Sequence, residues 1–398
     1  MSDQIEAFEI EEESTEKAKK PIKKRIILII IAALIILIAV FLIINRRHLA
    51  PLKFSEWVSD SFARIGSGEG YPYDINSNSV NDIAAFNKDT AVLTDSSLII
   101  LTPSSKEVTN RQISYSNPII KTSIDRLLIY DVGGNGFSVH NRSSVLFEGT
   151  TKYAISTCVM GDYGNFAVAT RDEVHSGSVT FYSYKFKEDF KWNSGNSYII
   201  SLALSPDGNY GAAATLNAEG GKAYSTVYIF NFETEEVLSY RYDNSIIGNM
   251  VFDKENRLSL ISDNGITVTN ALTEDAMGDE THSIVGTLAL VSCGNGNAIA
   301  TISKVYENND IYSLNYINHK RETKFTHTIE EKVTDVYATE KNCVVLTDKT
   351  ILIYDYEGNT VSTILISDLG AESNVTGVLM CKSELYALTS TKLLKIDY

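Results

Sequence analysis

The pattern of apolar and polar positions changes character twice along the chain. Residues 26–44, IILIIIAALIILIAVFLII, are 19 consecutive residues without a polar side chain. At about 1.5 Å per residue a helix of that length covers close to the roughly 30 Å hydrocarbon core of a bilayer. Helix is the expected geometry, because a backbone in lipid must satisfy its own hydrogen bonds. Over 51–65, Phe54, Trp57, Val58, Phe62 and Ile65 recur at helical spacing. That spacing predicts a short amphipathic helix, with its apolar side packed on the body or resting at an interface. From about Asp82 onward the chain reads as short apolar strands separated by turn residues.

The strands repeat. The phrase over 92–100, VLTDSSLII, returns at 345–353 as VLTDKTILI and, more loosely, at 260–268 and 387–395. Two further copies follow turn phrases, DYGNFAVAT at 162–170 and DGNYGAAAT at 207–215, and weaker ones end at Tyr130 and Thr301. The equivalent positions Thr94, Tyr130, Thr170, Thr215, Ser262, Thr301, Thr347 and Thr389 are about 42 residues apart on average. A period of roughly 40–45 residues with four short strands per unit is the signature of propeller blades, which bury their faces only by stacking into a ring. The last unit supplies three strands before the chain stops at Tyr398, so its outer strand is expected from 70–76, closing the ring without an exposed edge. The expected fold is therefore an all-β, eight-bladed β-propeller over 70–398, with seven blades as the alternative count. It would be preceded by a disordered tail (1–25), a transmembrane helix (26–44) and a juxtamembrane linker and helix (45–69).

Charge adds orientation. Six basic residues from Lys17 to Arg25 precede the apolar run, while Arg46 and Arg47 follow it directly. The positive-inside rule then keeps the N-terminus in the cytoplasm and sends the propeller outside. The flank Asn45-Arg46-Arg47-His48 lacks a small-x-small site, which favours an uncleaved anchor over a signal peptide. The whole chain carries 35 Lys+Arg against 50 Asp+Glu, a net of −15, the wrong sign for gripping nucleic acid. Expected partners are the lipid bilayer, through 26–44, and an envelope protein or cell-wall glycan.

The arrangement resembles a family of single-pass, surface-anchored propeller proteins from Gram-positive bacteria. The likeness rests on the basic flank and span (17–44), on Gly66-Ser67-Gly68-Glu69-Gly70-Tyr71-Pro72, on Ser116-Asn117-Pro118, and on the paired units around Asp162 and Ser205-Pro206-Asp207-Gly208. It covers nearly the whole chain and implies the fold and the anchor, but no activity.

Chemistry-bearing motifs are sparse. The six histidines show no ligand spacing and no neighbouring cysteine, so neither a metal site nor a cofactor is expected. His175 beside Asp172, Glu173 and Ser176 reads as a solvated turn rather than a nucleophile–base set. The Asp- and Asn-bearing clusters 131–136 and 307–310 do not keep the alternating ligands of a calcium loop and read as turns. Cys158, Cys293, Cys343 and Cys381 read as buried free thiols, with a Cys343–Cys381 bridge as the alternative. One irregularity points to recognition. The link between second and third strands is short in most units but extended over 171–178, 216–225 and 303–310. The expected partner-binding rim thus carries Asp172, Glu173, His175, Asn217, Glu219, Tyr224, Tyr306, Glu307, Asn309 and Asp310. A non-catalytic binding or scaffolding module is the favoured reading. An extracellular hydrolase or lyase using carboxylates and tyrosines at the channel is the alternative.

Overall fold

A computed structural model of the chain describes residues 29–36, 40, 51–75, 79–171, 176–270, 280–294, 298–370 and 374–398. They divide into two units, 1–57 and 58–398. In the first, 29–36 are helical with every side chain exposed. No helix among the described residues is long and apolar enough to cross a membrane, and most of the expected 26–44 span lies outside them. The expected helix after residue 50 is present as α1, Pro51–Ala63.

The second unit contains eight four-stranded antiparallel sheets. Seven follow chain order: blade 1 spans 80–112, blade 2 118–150, blade 3 155–193, blade 4 198–243, blade 5 247–283, blade 6 287–329 and blade 7 333–365. Blade 8 takes three strands from 375–396 and its fourth from Tyr73–Asp74. Tyr73 pairs with Leu393 and Asp74 with Lys392, and Ile75 N donates to Thr391 O at 2.7 Å. The ring is closed as expected, but by two residues rather than by the whole of 70–76. Eight blades, not seven, is the count.

One apolar cluster fills each of the eight seams between neighbouring blades, as in Phe86, Leu98 and Ile129 between blades 1 and 2. At about 25 cal/mol per Å2 of apolar surface, this stacking is the main source of stability, since a lone blade leaves both faces wet. In blade 1 the second and third strands are buried at nearly every position, whereas an outer strand such as Thr360–Leu365 mixes exposed and half-buried positions.

Register explains the repeated threonine. In seven blades a bulge interrupts the first strand, and the residue just before it pairs with Thr94, Thr170, Thr215, Ser262, Ser303, Thr347 or Thr389. Thr347 Oγ1 accepts from Lys349 N (3.1 Å) and Thr350 N (2.8 Å) and donates to Thr350 O. Thr389, Thr94 and Ser262 make the same kind of turn closure. The short polar side chain satisfies amides that the tight hairpin leaves unpaired. Two equivalences need correction. Ser303, not Thr301, occupies this position in blade 6, and in unbulged blade 2 the pairing of Pro118 with Asp131 displaces Tyr130.

The ring has two unlike faces. Links from first to second and from third to fourth strands emerge on one, here the back. Links from second to third strands, and from blade to blade, emerge on the front. Residues 58–63 of α1 lie against the back, at blades 1 and 2, and they do so with their charged side. Asp60 is buried and receives Arg142 Nη1 at 3.2 Å, while Arg142 Nε reaches Asp89 at 2.7 Å and Arg64 Nη2 reaches the other Asp89 oxygen at 3.0 Å. Arg142 also donates to Phe86 O and stacks 4.2 Å over the Phe86 ring. Lys106 Nζ caps the helix end by donating to Ala63 O at 2.8 Å. Of the five apolar residues expected to pack on the body or rest at an interface, three do not pack on it: Phe62 is 70% and Ile65 67% exposed, and Phe54 is exposed as well, while Trp57 and Val58 are half-buried. The correction has a physical cause. The patch under the helix presents the Arg142 guanidinium and the Asp89 carboxylate, which only a charged helix side can match.

After α1, Gly66 and Gly70 adopt positive φ (+112° and +99°). A Cβ at Gly68 would lie 2.3 Å from the backbone of Ser105 and Lys106. The glycines let the chain lie flat along the 102–106 turn, where Gly70 N donates to Ser105 Oγ at 2.8 Å.

Candidate functional site: front-face hairpins and the central channel

In the short second-to-third links of blades 1, 5, 7 and 8 a threonine or serine hydroxyl closes the turn and nothing projects. The three extended links depart from this, and the structure gives them different forms. Asp172, Glu173 and His175 of blade 3 lie outside the described residues.

In blade 4 the expected loop is in fact a continuous β-hairpin. Two ten-residue strands, Tyr210–Glu219 and Lys222–Asn231, stay paired to the end, with Glu219 opposite Lys222. Gly220 and Gly221 turn it with φ of +58° and +79°, the left-handed pair that a two-residue hairpin requires. Asn217 pairs with Tyr224, and the outer strand follows, pairing Tyr224 with Asp243. Arg241 organises the arm. Its guanidinium meets Glu219 at 2.6 Å and Asp243 at 2.7 Å and lies 3.8 Å over the Tyr224 ring. The two carboxylates push the Arg241 pKa up further. Glu219 and Tyr224, both expected at the rim, are thus brought together by a residue that sequence reasoning missed. The Gly-Gly pair between alternating stretches was the available signal for the hairpin, though not for Arg241.

In blade 6 the link runs between the strands Ile299–Lys304 and Tyr312–Ile317. Tyr306 (62% exposed), Glu307, Asn309 and Asp310 are all solvent-facing, and Asn309 Oδ1 accepts from Ile311 N at 3.3 Å, a local turn bond. Blade 5 stands between this loop and the blade 4 arm. Beside the arm, a cleft of about 520 Å3 opens between blades 3 and 4, lined by Arg171, Ser176 and the exposed Tyr198 among others.

The central channel, about 560 Å3, is lined by first strands of blades 1 to 7. Asp82 and Asp335 sit just after the bulge in their strands, where the side chain leans toward the next blade. Asp335 Oδ2 accepts from Val378 N at 2.9 Å and Asp82 Oδ2 from Ile120 N at 3.4 Å. Ser292 Oγ likewise accepts from Ala338 N at 2.9 Å. These groups occupy amides on the open inner edges of neighbouring strands. Burial raises the pKa of both carboxyls, with Asp82 adding to the rise at Asp335 and Lys121 opposing it at Asp82.

All four cysteines are free, and Cys343 and Cys381 are buried without a bridge. Burial pushes their thiols up to about 12 and about 11, which disfavours the reactive thiolate. Among the described residues no group of three or more His, Cys, Asp or Glu is placed to hold a metal ion. In the first of the former calcium candidates, Asp131 Oδ1 accepts from Asn117 N at 2.7 Å, a contact beside the Pro118–Asp131 strand pair.

Eight stacked four-stranded blades, closed by an N-terminal strand, define an eight-bladed β-propeller. Within that class the chain belongs to a family of unknown function, DUF5711, whose model matches residues 71–372. Comparison with curated proteins gives no match. Among solved structures the chain is similar to apo AztD from Citrobacter koseri (8% identity, TM-score 0.51, 72% of this chain and 86% of that one). It is also similar to the Dos1 propeller (11% identity, TM-score 0.51, 73% and 82%). A third likeness is to the dihydro-heme d1 dehydrogenase NirN in complex with DHE (12% identity, TM-score 0.52, 72% and 66%). At such identities the likeness is one of fold.

Proposed function

We propose that this protein is a single-pass, membrane-anchored propeller that acts without catalysis, holding an envelope protein or a cell-wall glycan on its front face. The observation that carries the reading is the blade 4 arm. Its strands extend past the point where the other tight hairpins turn, and it ends in an exposed Arg–carboxylate–tyrosine surface on a rigid support. Binding residues are typically carried this way, on projections from a fixed scaffold. The uninterrupted apolar run 26–44 and its basic flank support the anchor, with the N-terminus in the cytoplasm and the propeller outside. No observation favours the hydrolase or lyase alternative, and the two channel carboxyls hold backbone amides.

The test is cross-linking with mass spectrometry on intact cells, comparing the full chain with a variant whose 217–224 arm is cut back to a two-residue turn. A recurrent envelope partner that disappears with the arm is expected. Unchanged capture by the trimmed variant rejects the arm as the binding surface.

A further inference from the structure

The outward side of α1 is apolar although its inward side is charged, the reverse of the usual helix on a protein surface. Asp60 faces in and is buried, whereas Phe62 and Ile65 stand 70% and 67% exposed. In the sequence, Phe54, Val58, Phe62 and Ile65 fall on one helical stripe. A helix that only had to attach to the propeller would bury those side chains and leave its carboxylate in water. Here the attachment is made by desolvated ions, which cost free energy to bury, and the large apolar groups are left for something else. What lies next in the chain says what that is. The apolar run ends at Ile44, with six residues between it and Pro51, and even fully extended the seven steps from Ile44 to Pro51 span only about 25 Å. The start of α1 is therefore kept within that distance of the end of the run.

We propose that the outward apolar stripe of α1 and the turn that follows it, with Phe62 of the helix and Ile65 just beyond its end as anchors, lie in the headgroup region of the same bilayer, so that the back of the propeller faces the membrane and the blade 4 arm faces away. The inference rests on the anchored reading above. Aromatic and aliphatic side chains on one side of a helix lying in the interfacial plane bury about 5–10 Å into the headgroup boundary. The buried Arg142–Asp60 contact fixes the roll of the helix and thereby aims the stripe.

The full-length chain is reconstituted in phosphatidylcholine–phosphatidylglycerol vesicles and labelled with a polarity-sensitive fluorophore through F62C, I65C or, as a front-face control, Y306C. All three positions are exposed, so the substitutions spare the core. Vesicles then receive lipids bearing a quencher near the headgroup. Labels at 62 and 65 should be quenched several-fold more than the label at 306. If the protein floats with the vesicles but all three labels quench alike, the membrane-facing stripe is rejected while the anchor stands. If it does not float, both fall. Disulfide cross-linking of F62C chains to one another, with no lipid quenching, would assign the stripe to a second copy instead and overturn the proposal.

Discussion

The back and front faces of this propeller solve the same problem, ending strands without leaving polar groups unpaired, by different means. On the front, a hydroxyl within each tight hairpin satisfies that hairpin's own amides, as at Thr94, Ser262, Thr347 and Thr389. On the back, buried arginines reach between blades. Arg126 of blade 2 donates to Gly164 O and Tyr184 O of blade 3, at 3.1 and 2.6 Å. Arg142 of blade 2 grips Asp89 of blade 1, and Arg321 of blade 6 lies 3.5 Å from Asp253 of blade 5. A local hydroxyl leaves its hairpin free to lengthen, as in blade 4, without disturbing a neighbour. An arginine shared between blades fixes both, so the back is where variation costs most. Hairpins can therefore lengthen on the front while α1 is seated on the back.

The largest effect that separates the faces should come from R142M. It leaves Asp60 and Asp89 buried beside each other without their shared cation, and breaking such a pair costs about 3–5 kcal/mol. Urea unfolding of the 58–398 unit within the full chain should show a midpoint shift of that order, and a shift under 1 kcal/mol would mean the back is not stitched as described.

Acid should also find the back first. His140 is buried, its Nδ1 3.0 Å from Arg111 Nη1, and burial lowers its pKa from 6.5 to about 3. The unfolded chain takes up this proton near pH 6.5 and the folded chain only near 3. The stability His140 contributes is therefore complete above pH 6.5 and lost as pH falls through that window, by up to about 1.4 kcal/mol per unit. H140Q should flatten the midpoint-versus-pH profile between those limits, and an unchanged slope would exclude His140 as its source.

On the front, T347V should cost about 1 kcal/mol, the worth of the turn bonds it removes, read as a shift of the same midpoint. The smallest effect belongs to R241A. Its side chain is exposed and its partners are exposed carboxylates, so the unfolding midpoint should not move measurably while partner capture by the arm drops. A destabilised R241A protein would show that the arm is part of the scaffold.

Much of the ring was legible because its repeat is chemical. The same hydroxyl closes the same turn in successive blades, so Thr94, Thr347 and Thr389 stand out and the period can be measured. The reading slipped where that chemistry changes. Blade 6 uses Ser303, whose Oγ donates to Val285 O across the link, and blade 2 has no bulge. The seating of α1 was not legible, because helical spacing gives a stripe but not the side it faces. The deciding partners, Asp89 and Arg142, lie 29 and 82 residues beyond Asp60. Arg241 was hidden for a similar reason, since its contacts to Glu219 and Tyr224 exist only once the blade 4 strands are in register.

The two-residue strand that closes the ring has a mechanical consequence. Alone, Tyr73 and Asp74 would make a poor clasp, since any pull on the chain before them would peel their few bonds to Lys392 and Leu393 one at a time. The chain, however, passes through α1 before it reaches the clasp, and Asp60 and Ala63 of α1 and Arg64 just after it are pinned to blades 1 and 2 by Arg142, Lys106 and Asp89 respectively. A load arriving from the N-terminal side meets that seat before it reaches the clasp, as a cable gland spares the joint behind it, and the clasp carries no tension until the seat gives way.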